Sequence, residues 1–258
     1  MTTGTQEMTF WDHLEDLRKS LFRMAAALVC LTVVLFFLKD FLINDVILAP
    51  KESSFFLYRL LGVDFSLSLV SIEMTAQFMT HMKVTFICAL ILSFPYMVYE
   101  LWSFVAPALY KNERRALKKA FVFAGFLFYL GLAVGYLLIV PLMLNFFAGY
   151  QISASVPNTI SLTSYISLLT STVLIFGLVF QFPTVIAVLS SLGVVTKSLL
   201  KKFRRHAVCA VVILAAMITP SGDPFSLLVC TVPLYLLYEF SILICKEKSL
   251  ELEMEDEQ

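Results

Sequence analysis

Between Lys119 and Lys197 the sequence carries no charged side chain. A water-soluble domain needs charge at short intervals to cover its surface, and roughly a quarter of its residues supply it. Here 15% of 258 residues are charged, 59% are hydrophobic, and the mean hydropathy is +0.86. A gap this long suits two bilayer crossings joined by a polar turn. The sequence therefore describes an integral membrane protein. Nineteen basic residues balance nineteen acidic ones, so no net field points to nucleic acid as a partner.

A helical crossing takes about 20 mostly apolar residues at ~1.5 Å each. Six segments qualify, at about 21–38, 83–107, 116–147, 162–193, 206–218 and 225–244. The expected fold is all-α, a single six-helix membrane domain over 1–245. An interfacial helix at about 9–20, with Thr9 and Asp12 suited to a cap, leads into the first crossing. An outer loop covers about 41–78, and 246–258 form an acidic, solvated and disordered tail. Pro95 and Pro183 fall inside the second and fourth crossings and are expected to interrupt them. The fifth and sixth helices are read as a short pair. With ~13 apolar residues, the fifth reaches only ~20 Å across a ~30 Å hydrocarbon core. The bilayer thins beside it, or partner subunits cover the mismatch.

Orientation follows from lysine and arginine. With both termini cytoplasmic, the inner segments 1–23, 108–119, 194–205 and 245–258 hold fifteen of the nineteen basic residues. The other four, Lys39, Lys51, Arg59 and Lys83, lie on or beside the first outer loop.

Few side chains suggest chemistry. The five cysteines are widely spaced with no C-x-x-C, so neither a disulfide framework nor a zinc site is expected. No H-E-x-x-H, G-x-S-x-G or phosphate loop appears, which argues against an enzyme and against a bound cofactor or metal. Glu100 and Glu239 each lie roughly 10 Å inside the inner boundary, where an ionisable group is costly and usually faces a bundle interior or a wet cavity. A structural hydrogen bond and a partner contact account for them equally well. Gln181 is deeper, neutral and able to bond a neighbouring helix. Gly131-x-x-x-Gly135 permits a close helix crossing. Glu15, four residues before Lys19, reads as half of a surface pair.

Four motifs combine in order: His13-Leu14-x-Asp16-Leu17-Arg18; Phe104-x-x-Pro107-x-Leu109-Tyr110-x-x-Glu113-Arg114; Phe176-Gly177-x-x-Phe180-Gln181-x-Pro183; and Thr219-Pro220 with Asp223. Together they resemble the TatC family, the signal-binding core of the twin-arginine protein translocase, from about residue 9 to 245. The resemblance implies a receptor in the bacterial cytoplasmic (inner) membrane that takes twin-arginine signal peptides at its cytoplasmic face. It implies an oligomeric complex with TatB-like and TatA-like single-span partners, in the lipid bilayer, that moves folded proteins using the proton-motive force. The two recognition carboxylates fall at Asp16 and Glu113, with Arg18, Phe104 and Leu109 beside them. Asp16 stands where relatives usually have Glu, and Gln181 where they often have Glu; Asp223 matches the outer acid of the fifth–sixth turn.

Arginine stays charged and pairs bidentately with carboxylates, so two arginines call for two acids. Two charge-assisted contacts give ~3–6 kcal/mol, short of the ~8.2 kcal/mol of micromolar binding. The remainder is assigned to the signal's apolar segment entering a groove along the helices. The rival reading is a secondary transporter of a small solute built from inverted halves, but 21–148 and 162–244 differ in length and share no motif echo. An intramembrane hydrolase lacks any nucleophile–base pair.

Overall fold

In the computed structural model, residues 10–105, 111–153, 155, 158–191, 193–219 and 222–245 are described, with side chains from residue 14 on and excluding 105–119. The chain opens with α1 (Phe10–Phe37), one unbroken helix. A π-helical turn (Phe41–Ile47), a 3-10 turn (Ala49–Lys51) and the short α2 (Phe56–Leu61) follow. Then come α3 (Ala76–Val105) and a long rod made of α4 (Lys111–Val134), a π-turn (Gly135–Ile139) and α5 (Val140–Gly149). The last third holds α6 (Leu162–Val179), α7 (Phe182–Ser191), α8 (Lys197–Lys202), α9 (Arg204–Ile218) and α10 (Pro224–Ile244). Strands β1 (Leu69–Val70) and β2 (Ile160–Ser161) pair in parallel and tie the α1–α3 connection to the approach to α6.

Among the described residues, five stretches are long and apolar enough to cross a membrane: Leu14–Phe37, Ala76–Phe104, Ala120–Gly149, Leu162–Ser191 and Pro224–Ile244. The third is the centre of the bundle, with 56% of its apolar window buried, and the first is the periphery, with 17%. Phe22, Val29, Val33 and Phe37 leave α1 with an exposed apolar face, which suits acyl chains. At 15 residues α9 reaches only ~22 Å. With 21 residues α10 matches the expected 225–244 within one residue and is long enough to cross, while staying shorter than the other four candidate spans, which have 24 to 30 residues.

Glycine sets the tightest crossing. A methyl at Gly131 would stand 2.6 Å from the Phe176 carbonyl oxygen, and one at Gly177 would stand 2.8 Å from Leu132 Cδ2. The backbones of α4 and α6 meet where these side chains are missing. The two internal prolines behave differently. Pro183 follows a real break, since α6 stops at Val179 and α7 starts at Phe182. Pro95 was expected to interrupt its helix, yet α3 runs through it. Proline removes the donor that would serve the carbonyl four residues back, here that of Ile91, and the Tyr129 hydroxyl of α4 donates to it instead at 3.2 Å.

Candidate functional site

The N-terminal part of α1 and the C-terminal end of α3 are held in register by one buried acid. Glu100 is 4% exposed. Arg23 donates from Nε to Oε1 at 3.0 Å and from Nη2 to Oε2 at 2.8 Å, while the Tyr96 hydroxyl donates to Oε1 at 2.7 Å. Arg23 Nη2 also reaches Ser20 Oγ at 3.0 Å. This bidentate fork is the strong form of a carboxylate contact. Both Glu100 oxygens are therefore engaged within the chain.

A second acid is handled alike. Arg204 Nη2, at the start of α9, donates to Glu239 Oε2 at 2.6 Å, and the Tyr235 hydroxyl donates to Oε1 at 3.0 Å. In both cases a tyrosine one turn earlier on the same helix donates to Oε1 and an arginine from a neighbouring helix donates to Oε2; at Glu100 the arginine also reaches Oε1. Sequence reasoning named the acids and missed Arg23, Arg204, Tyr96 and Tyr235. The available signal was the repeated spacing Tyr96-x-x-x-Glu100 and Tyr235-x-x-x-Glu239, which stacks each pair on one helical face.

Two helical turns before Arg23, and thus on the same stripe ~10 Å farther along α1, Asp16 is exposed. It has no hydrogen bond or ion pair among the described residues. Its neighbour Glu15 pairs with Lys19 at 3.0 Å on the surface. Arg18 is exposed and stacks its guanidinium 5.6 Å from the Phe22 ring centroid. Because α1 and α3 run antiparallel through the Arg23–Glu100 contact, Asp16 stands level with the C-terminal end of α3. Phe104 is partly buried there. The backbone places Glu113 third in α4, a first-turn position that suits a carboxylate. Its side chain lies outside the described residues, as do Thr9, Leu109 and the side chain of Asp12.

Gln181 occupies the break between α6 and α7, and its Nε2 donates to the Ala124 carbonyl of α4 at 3.1 Å. With Thr184 it supplies the polar side chains of a mostly apolar cavity of about 650 Å³, also lined by Met24, Phe94, Met97, Phe121 and Leu178. A second apolar hollow of about 410 Å³ opens between α7, α9 and α10, against Phe182, Phe203, Leu214 and Tyr238. At the opposite end, Asp223 caps α10 by accepting from the Ser226 amide at 2.8 Å. Among the described residues no group of His, Cys, Asp or Glu is arranged to hold a metal ion.

With this geometry in hand, known proteins give a consistent comparison. The profile of the family described as "Sec-independent protein translocase protein (TatC)" matches residues 12–233. The Sec-independent protein translocase protein TatC of Blattabacterium sp. subsp. Periplaneta americana (strain BPLAN) is 36% identical over 259 residues, covering 95% of this chain and 97% of the relative. TatCy of Bacillus subtilis (strain 168) is 31% identical over 240 residues, covering 93% and 89%. A crystal structure described as the twin arginine translocase receptor TatC in DDM superimposes with a TM-score of 0.75 at 28% identity, covering 91% of this chain and 99% of that one.

Proposed function

The chain belongs to the TatC family, and from that premise we propose that it is the signal-peptide receptor and core of a twin-arginine translocase in the bacterial cytoplasmic membrane. The observation that carries the reading is how the inner-end acids are divided. Glu100 and Glu239 are engaged by arginines of the chain itself and Glu15 by Lys19. Asp16 stays exposed, at the end of the bundle where the first turn of α4 carries Glu113. Asp16 and Glu113 receive the two signal arginines, and Arg18, Phe104 and Leu109 frame them.

The apolar segment of the signal peptide enters the cavity lined by Met24, Met97 and Phe121. Burial there supplies the free energy that two charged contacts leave missing. Both termini lie inside, and α9 crosses as a sixth span where the bilayer is locally thinned. Glu100, Glu239 and the Gln181 break mark the inner faces where TatB-like and TatA-like single-span subunits dock in an oligomeric complex. Gln181 carries no titratable proton, so coupling to the proton-motive force does not run through ionisation at that position. The family match does not favour the small-solute transporter.

The test is transport in inside-out vesicles containing the chain with its single-span partners and a folded cargo bearing a twin-arginine signal. The expected result is cargo protected from added protease only when partners and a proton gradient are both present. Equal protection of a twin-lysine cargo, or protection that survives an uncoupler, would contradict the assignment.

A further inference from the structure

The α8–α9 segment joins a basic strip to an apolar hollow. Between Val194 and His206 the sequence holds Lys197, Lys201, Lys202, Arg204 and Arg205 and no acid. Arg204 is engaged by Glu239. Lys201, Lys202 and Arg205 are exposed and have no ion pair among the described residues.

The strip lies where two spans stop. Leu162–Ser191 and Pro224–Ile244 are both long and apolar enough to cross a membrane. Cys245 Sγ reaches Ser190 Oγ at 3.3 Å and the Val195 carbonyl at 3.6 Å, so the two ends stand level. α8 is fastened to the same end, because the Tyr238 hydroxyl of α10 donates to the Leu200 carbonyl at 2.7 Å. Lys197 is also the first charge after the gap that opens at Lys119. Cations that follow a span this closely meet the headgroup layer.

The hollow of about 410 Å³ between α7, α9 and α10 starts among these cations. Lining residues and cations alternate along the chain. Leu199 and Leu200 line the hollow, then come Lys201 and Lys202; Phe203 lines it, then come Arg204 and Arg205; His206 and Ala207 line it again. Farther along α9 the lining continues through Ala210 and Leu214, on one helical face. Ala210 is exposed, so the hollow opens sideways out of the bundle, and two of its walls, α7 and α10, belong to membrane spans. From Phe203 to Leu214 the chain rises ~16 Å, which is the hydrocarbon depth of one leaflet in a ~30 Å core.

We propose that this hollow seats one acyl chain of an anionic phospholipid, whose phosphate is held by Lys201, Lys202 and Arg205. The occupant is amphiphilic because the site is: unpaired cations stand at one end of an apolar trough that opens between spans. A zwitterionic lipid fills the trough as well but leaves the net positive charge of the strip uncompensated, so the site selects by headgroup charge.

The experiment weighs the full chain in detergent by native mass spectrometry, with phosphatidylglycerol or with phosphatidylcholine of the same acyl chains. One phosphatidylglycerol should be retained several-fold better than phosphatidylcholine. Replacing Lys201, Lys202 and Arg205 by Gln should weaken that retention by about 5-fold for each cation removed, whereas Gln at Lys39, Lys51 and Arg59 should leave it unchanged. Ala210→Phe fills the trough, keeps every charge and should also weaken retention several-fold; Ala207→Leu repeats the reading if Ala210→Phe fails to fold. Equal retention of the two lipids, or retention indifferent to the three cations, would overturn the proposal. Sensitivity to the cations but not to either filling substitution would mean that headgroups gather without a seated chain, and would overturn it too. A preference for phosphatidylglycerol that emerges only after residues 247–258 are removed would make the acidic tail the occupant. One that vanishes in complexes purified with single-span subunits would make a subunit the occupant, and either result would overturn the proposal.

Discussion

Replacing Gly131 with alanine puts the packing argument to its hardest test. The new methyl would lie 2.6 Å from the Phe176 carbonyl oxygen and 2.7 Å and 2.8 Å from Cβ and Cγ of Phe180. The nearest obstacle is backbone, so no rotamer change relieves it. The α4 and α6 backbones must part by about 0.8 Å, the gap between 2.6 Å and the 3.4 Å at which ordinary contact begins. Overpacking of this kind costs up to about 3 kcal/mol, and the better helix propensity of alanine returns about 1 kcal/mol. The net destabilisation is about 2 kcal/mol, equivalent to about 4–8 °C in Tm for a chain of this size. Gly125 of the same helix is the matched control, because nothing lies within 4 Å of its added methyl. Gly125→Ala should keep the propensity gain and melt about 2–4 °C higher than the parent. Thermal unfolding of the three proteins in one mild detergent measures this. Equal melting of Gly131→Ala and Gly125→Ala would refute the close crossing.

Two further outcomes follow from the polar contacts inside the bundle. Arg23→Ala should lower the melting temperature more than Glu100→Ala, since it strands a carboxylate whose side chain is 6% exposed, whereas Glu100→Ala leaves an arginine whose side chain is 53% exposed. The double replacement Arg23→Met with Glu100→Leu should recover most of the loss, and equal singles with no recovery would count against the clasp. Tyr129→Phe should cost about 0.5–1.5 kcal/mol by leaving the Ile91 carbonyl unpaired, and clearly less in a Pro95→Ala background, where the backbone donor returns; a chemical-denaturation double-mutant cycle reads the difference.

Much of this architecture is legible in the chain because a bilayer allows so few solutions. A charge-free stretch between Lys119 and Lys197 has to cross and return, and Gly131-x-x-x-Gly135 permits the close crossing that the structure shows at Gly131. The family motifs, read in order, led to the same family that the comparisons match. What escaped was pairing across distance. Glu100 and Arg23 are 77 residues apart and Glu239 and Arg204 are 35 apart, and no local pattern announces which arginine meets which acid. Whether a proline breaks a helix was equally hidden, because the answer at Pro95 depends on a hydroxyl from another helix. The contacts of the α1–α3 connection were hidden for the same reason: the carbonyls of Val46 and Ile47 are satisfied by Tyr136 and Tyr165, far away in sequence.

The central claim is that Asp16 is left unpaired on the inner face to receive an arginine of the signal peptide. The most direct measurement is a titration of the purified chain in nanodiscs with a fluorescent twin-arginine signal peptide and its twin-lysine counterpart, repeated with Asp16→Ala and with Glu113→Ala of unchanged melting curve. Loss of one charge-assisted contact should weaken twin-arginine binding by about 10- to 100-fold in either variant and erase the preference over lysine. Binding that is equal for both peptides and indifferent to both substitutions would contradict the account.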